Sequence, residues 1–104
     1  MKFTGNRDIA VTVKSLEKSR VFYENVLGLN PKNIGDKLAV YNTGSITLYV
    51  QEKEHHPPVP SFTVENLAEA RAHLEAKGCE VTKEWKGALY FRDTDGNIWD
   101  IIEP

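Results

Sequence analysis

The sequence predicts an α+β fold: two βαβββ modules forming a curved mixed sheet around a cavity, with the helices on the outer face. Three observations predict it. The first is an internal repeat. Val11-Thr12-Val13, Ser15-Leu16 and Arg20 are followed fifty-one positions later by Phe62-Thr63-Val64, Asn66-Leu67 and Arg71. Leu38 and Val40 match Leu89 and Phe91 at the same offset, and Gly44 and Ile46 match Gly96 and Ile98 with one residue more. A series this long in one order reads as a duplicated unit. The second is strict alternation of apolar and polar residues in short runs, the mark of strands with one buried face. The third is a single helix-period stripe in each half, closed by Gly28 or Gly78.

In residues 8–14, Ile9, Val11 and Val13 alternate with Asp8, Ala10, Thr12 and Lys14, which makes a strand. Ser15 is an N-cap for a helix whose stripe is Leu16, Val21, Phe22, Tyr23, Val26 and Leu27 and which stops near Gly28. Lys37–Asn42 and Ser45–Gln51 form a strand pair around Thr43-Gly44. His55-His56-Pro57-Pro58 is a linker, because two prolines resist helix. A strand follows at 59–65. Asn66 with Glu69 then opens a helix in the manner of a capping box, with Leu67, Ala70 and Leu74 as its stripe. Strands near 79–85, 87–92 and 97–103 complete the second half, with Asp95-Gly96 as a hairpin signal. One domain over 1–104, with modules at about 7–52 and 59–104, accounts for the chain. A ferredoxin-like βαββαβ sheet accounts poorly for three strands after each helix.

Composition narrows the function. Lys and Arg number 13 against 15 Asp and Glu, a net charge of -2, which disfavours a nucleic-acid binder. The only cysteine, Cys79, excludes an intramolecular disulfide and a cysteine-rich zinc site and reads as a small buried hydrophobe. No apolar run approaches the roughly 18 residues that span a membrane. The first residues lack a signal-peptide core, so the expected location is cytoplasmic. Asp93-Thr94-Asp95-Gly96-Asn97 fails the calcium-loop spacing and reads as a turn.

Parity assigns a second face to each sheet, opposite its helix. On it fall Asp8, Ala10 and Thr12, then Ala39 and Tyr41, then Thr47, Tyr49 and Gln51. The second half adds Val59, Ser61 and Thr63, then Ala88, Tyr90 and Arg92, then Ile98, Asp100 and Ile102. Apolar walls with a few rings, hydroxyls and charges suit a small-molecule site. The ligand-binding candidates are Asp8, Thr12, Tyr41, Thr47, Tyr49, Ser61, Tyr90, Arg92 and Asp100. Arg92 serves an anionic group or pairs with a carboxylate. The tyrosines stack a planar ligand or pack the wall. Trp99 shares the parity of Ile101 and belongs to the core, whereas Trp85 stands at a strand end, at a cavity mouth or a dimer contact.

The stretch from Ile9 to Leu29, IAVTVKSLEKSRVFYENVLGL, resembles the opening of the vicinal oxygen chelate superfamily, and Phe91 to Glu103, FRDTDGNIWDIIE, resembles its closing signature. This superfamily holds glyoxalases, extradiol dioxygenases, epimerases and bleomycin resistance proteins. The resemblance implies a cavity that carries a divalent metal in the enzymes, with His or Glu ligands on the first and last strands of each module. The matching positions here are Asp8, Thr47 or Tyr49, Val59 and Asp100. Valine donates nothing, and a threonine or tyrosine is a poor substitute for imidazole or carboxylate. The expected cofactor is therefore none.

The function expected from this departure is metal-independent small-molecule binding of the bleomycin-resistance kind, in a resistance or sequestration role. The net charge is a weak match to bleomycin itself. The alternative is a metal-dependent enzyme, a glyoxalase-like lyase or a ring-cleaving dioxygenase, holding one divalent ion through Asp8 and Asp100. The expected partners are a small molecule and a second copy in a homodimer, with no nucleic acid and no membrane.

Overall fold

A computed structural model describes all residues, 1–104. The chain divides into two compact units, Arg7–Pro58 and Val59–Pro104 together with Met1–Asn6. Both are mixed sheets with one helical segment, and the βαβββ order holds in each.

In the first unit, β1 spans Thr4–Val13, with its residues from Arg7 onward belonging here, followed by α1 at Leu16–Val21. The Ser15 side chain accepts from the Lys18 N–H and starts the helix, as the sequence predicts. The helix widens into a π-helical turn over Phe22–Val26, where the Leu27 N–H reaches the Phe22 carbonyl at 3.1 Å. Gly28 then takes φ +72, a conformation that suits glycine at a helix end. Strands β2 (Pro31–Ile34), β3 (Leu38–Asn42) and β4 (Thr47–Glu52) follow. Their order is β2-β3-β4-β1, with β1 parallel to β4 and the other pairs antiparallel.

In the second unit, β5 (Val59–Thr63) leads to α2 (Leu67–Ala76), capped when the Glu69 N–H donates to Asn66 Oδ1 at 2.9 Å. Strands β6 (Glu80–Trp85), β7 (Ala88–Arg92) and β8 (Ile98–Ile102) complete it in the order β5-β8-β7-β6. Again the first and last strands, β5 and β8, run parallel. The core packs Ala70 and Leu74 of α2 on Val64, Leu89, Phe91 and Ile101, with Cys79 and Trp99 at its margin.

One expectation of parity fails. Tyr41 pairs with Leu48 and Ala39 with Val50, so both face the helix, not the second face. Both are fully buried, clustered with Leu16 and Val50. Val40 takes the second face, opposite Tyr49. The cause is a one-residue slip in the repeat. The structure superposes Ala39 and Tyr41 on the core roles of Leu89 and Phe91, not Leu38 and Val40. The β7–β8 loop between Arg92 and Ile98 is one residue longer than the β3–β4 loop between Asn42 and Thr47, which restores the register by the last strand. A one-residue slip in a strand exchanges its faces.

Candidate functional site

The face of each sheet opposite its helix is built from register. In the second unit, cross-strand pairing lines up Lys83, Tyr90, Asp100 and Ser61 in one row across four strands. Ser61 is buried, and its hydroxyl donates to Asp100 Oδ2 at 2.8 Å. Asn6 Nδ2, on the end of β1 that belongs to this unit, donates to Ser61 Oγ at 2.9 Å and to Thr63 Oγ1 at 3.1 Å. The Tyr90 phenol, held between burial and the negative charge of Asp100, is pushed above its ordinary pKa and stays a neutral donor. Trp85 meets Tyr90 edge to face at 4.7 Å, which places this ring on the rim of the same face. Arg92 lies half exposed, 3.8 Å from Glu80 and 3.5 Å from the Gly96 carbonyl. Sequence reasoning offered a carboxylate partner for it, and Glu80 is that partner.

The matching row in the first unit is Asn33, Val40, Tyr49 and Ala10. Asp8 pairs with Thr47 one row away. Burial raises the Asp8 pKa, and the charge of Lys32 opposes that shift. Thr12 is turned to structural use. Its hydroxyl accepts from the His56 N–H at 3.2 Å, donates to the His56 carbonyl at 3.3 Å and lies 3.4 Å from His55 Nδ1, pinning the linker. Tyr41, expected on this face, instead donates its hydroxyl to Glu24 Oε2 at 2.9 Å on the helix side. Arg20 grips the same carboxylate at 2.7 Å and, with the tyrosine, holds the Glu24 pKa low.

Sequence reasoning missed Asn6, because Arg7 takes φ +67 and breaks the alternation between Asn6 and Asp8. It also missed Lys83, whose place depends on the irregular register between Val81 and Lys83. A further signal was present but unread. Glu52 accepts from the Leu16 N–H at 2.9 Å, and Glu103 accepts from the Leu67 N–H at 2.7 Å. Both acids stand at the repeat distance, as do the helix starts they satisfy.

The resemblance implies a divalent metal, and the matched positions offer two carboxylates, Asp8 and Asp100, beside a valine and a threonine or tyrosine. Val59 is buried and has no donor. Tyr49 sits opposite Val40, and Asp100 is engaged by a serine hydroxyl. No three His, Cys, Asp or Glu side chains come together in a group able to hold a metal ion. No helix is long and apolar enough to cross a membrane.

Comparison with known proteins places the fold. A hypothetical protein from Bacillus halodurans C-125 matches with a TM-score of 0.73 at 16% identity, over 99% of this chain and 94% of its own. Homoprotocatechuate 2,3-dioxygenase from Brevibacterium fuscum, in complex with 3,4-dihydroxyphenylacetate, matches with a TM-score of 0.75 at 20% identity. That match covers 98% of this chain and 37% of the dioxygenase chain. The Mn(II)-bound glyoxalase from Novosphingobium aromaticivorans matches with a TM-score of 0.71 at 20% identity, over 98% and 39%. This chain thus spans well under half the length of those two enzyme chains. Residues 7–101 match the family model, nearly the whole βαβββ repeat, and the chain belongs to the Glyoxalase/Bleomycin resistance protein/Dioxygenase superfamily.

Proposed function

We propose that this chain is a metal-independent small-molecule-binding protein of its superfamily, acting by sequestration and not by metal chemistry. The observation that carries the reading is the Ser61–Asp100 hydrogen bond. Asp100 stands where the resemblance expects a metal ligand, and the Ser61 hydroxyl on the neighbouring strand donates to it. Ser61, itself held by Asn6, binds one oxygen of this carboxylate and orients it to accept an N–H or O–H of a ligand. Tyr90 adds a neutral donor and Trp85 a ring face, so the ligand that suits the row is planar and carries a hydrogen-bond donor.

The test is a thermal-shift screen of planar aromatic and antibiotic-like compounds in the presence of a chelator. Hits are then titrated by calorimetry against the wild type and Asp100→Asn. Binding that survives chelation and weakens about tenfold or more in Asp100→Asn supports the proposal. About one tightly held metal per chain after soaking in nickel, zinc, manganese or iron(II), with turnover of a thiol adduct or a catechol, overturns it.

A further inference from the structure

Lys83 is the member of the second unit's row that the proposed binding does not use. Its place follows from the irregular register of β6. Val81 pairs with Phe91 and Glu84 with Leu89, both core residues, whereas Lys83 pairs with Tyr90 and Glu80 with Arg92. Lys83 and Glu80 therefore share the open face. Glu84 turns to the helix side, where Arg71 of α2 takes it. Glu80 lies beside Arg92. Both acids that flank Lys83 on its strand are thus engaged by arginines, and the exposed lysine enters no ion pair of its own.

The open face then carries its charges in a definite order. Arg92 and Glu80 offset one another at one side. Along the row, Lys83 is a cation on β6, Tyr90 on β7 is buried and uncharged, and Asp100 on β8 is negative. The two charged residues stand two strand spacings apart, about 9–10 Å at the backbone. Trp85, two residues along β6 on the same side, packs edge to face on Tyr90 at 4.7 Å and walls the row.

A cation and a carboxylate with an aromatic floor between them select a ligand of matching polarity. A carboxylate accepts up to about four hydrogen bonds, and Ser61 supplies Asp100 with one. A protonated amine gives it a charge-assisted bond, stronger than that of a neutral donor. An acidic group in the same molecule meets Lys83. A ligand that is only anionic meets repulsion at Asp100, and one that is only cationic meets it at Lys83.

We propose that this row binds a planar aromatic zwitterion, with its carboxylate on Lys83 and its ammonium on Asp100, and that Lys83 determines this specificity. The proposal rests on the ligand row put forward above and adds the charge class of the ligand.

The test is calorimetry at pH 7 with four probes of one shape. 4-(Aminomethyl)benzoate carries both charges, its methyl ester only the cation, 4-methylbenzoate only the anion and 4-methylbenzamide neither. The zwitterion binds about tenfold or more tighter than either singly charged probe, and more weakly at about 0.5 M salt. Lys83→Met lowers its affinity about tenfold and erases its advantage over the methyl ester. Lys83→Glu makes the methyl ester the preferred probe. Asp100→Asn erases the advantage of the zwitterion over 4-methylbenzoate. A zwitterion that binds no better than the singly charged probes overturns the proposal, as does a Lys83→Met protein that keeps the preference. If none of the four binds while a neutral planar compound from the thermal-shift screen does, the charge assignment fails and the planar-ligand reading stands. If no planar compound binds at all, both fail.

Discussion

The two modules share their scaffold and differ in where they keep their polar chemistry. Each starts its helix with a side-chain cap, Ser15 or Asn66, and satisfies the next N–H with a carboxylate at the end of its last strand, Glu52 or Glu103. Each packs its third and fourth strands on that helix through matching positions, Ala39, Tyr41 and Val50 or Leu89, Phe91 and Ile101. The polar networks then part. In the first module Arg20, Glu24 and Tyr41 form a network on the helix side, beside the π-helical turn. In the second, Asn6, Ser61 and Asp100 form one on the opposite face. Duplication copies what a βαβββ unit needs in order to fold. The face that folding does not use is free to diverge: the second module lines up Asn6, Ser61 and Asp100 there, whereas in the first Thr12 bonds the linker.

The sharpest way to break this comparison is at the shared core. Ile101→Ala in the second module is expected to cost about 3 kcal/mol, and Val50→Ala in the first about 2, since each empties a fully buried site. Urea unfolding followed by fluorescence and circular dichroism measures both. If either substitution costs less than about 1 kcal/mol, the cores are not equivalent.

The polar networks come next. Ser61→Ala removes a buried hydroxyl that both donates and accepts, at an expected cost of about 1–2 kcal/mol. Tyr41→Phe keeps the packing and loses one bond, to the Glu24 carboxylate, so its cost is smaller. Its clearer sign is Glu24 titrating closer to the ordinary glutamate value, because one of the groups holding its pKa low is gone. Side-chain NMR titration reads that shift, and an unchanged Glu24 would detach Tyr41 from the network.

The smallest effects are those of pH, and they carry opposite signs. Asp93 accepts from the Asp95 and Asn97 backbone N–H groups and from the Asn97 and Trp99 side chains, and its pKa falls from 3.8 to about 2. A depressed carboxylate stabilises the fold above its unfolded pKa, and that contribution is lost as the pH falls through about 2. The Asp8 pKa is raised by burial, so its contribution runs the other way, present at low pH and lost as the pH climbs through the raised value. Asp8→Asn is therefore expected to stabilise the protein at pH 7, by less than about 1 kcal/mol because solvent screens the group. The gain fades toward pH 3. Thermal melts from pH 7 down to below about pH 2 check both, with Asp93→Asn expected to destabilise at pH 7 and to approach the wild type only once the pH has fallen through about 2.

Much of the fold was legible because it rests on local, periodic signals. The alternation of Ile9, Val11 and Val13 marks a strand without reference to anything distant. The Ser15 and Asn66 caps and the Gly28 and Gly78 stops bound the helices in the same local way. The second module's open face was also legible, since Ser61, Tyr90 and Asp100 kept the parity read from sequence. Tyr41 was not. Its face depends on the register between β3 and β4, and a slip of one residue in aligning the repeats moved it across the sheet. Asn6 was hidden by the left-handed turn at Arg7, which no residue type announces.

By itself, the sequence determined the duplicated βαβββ plan, the family and the valine at one of the expected ligand positions. These follow from residue identity and short-range periodicity. The tertiary structure decided which side chains share a row, that Asn6 bonds Ser61 and Ser61 bonds Asp100, that Thr12 pins the linker and that Tyr41 serves the helix side. Such facts depend on strand register and loop length. Register is set by the whole packed sheet, where a single inserted residue reverses a face, and so no window of sequence contains it.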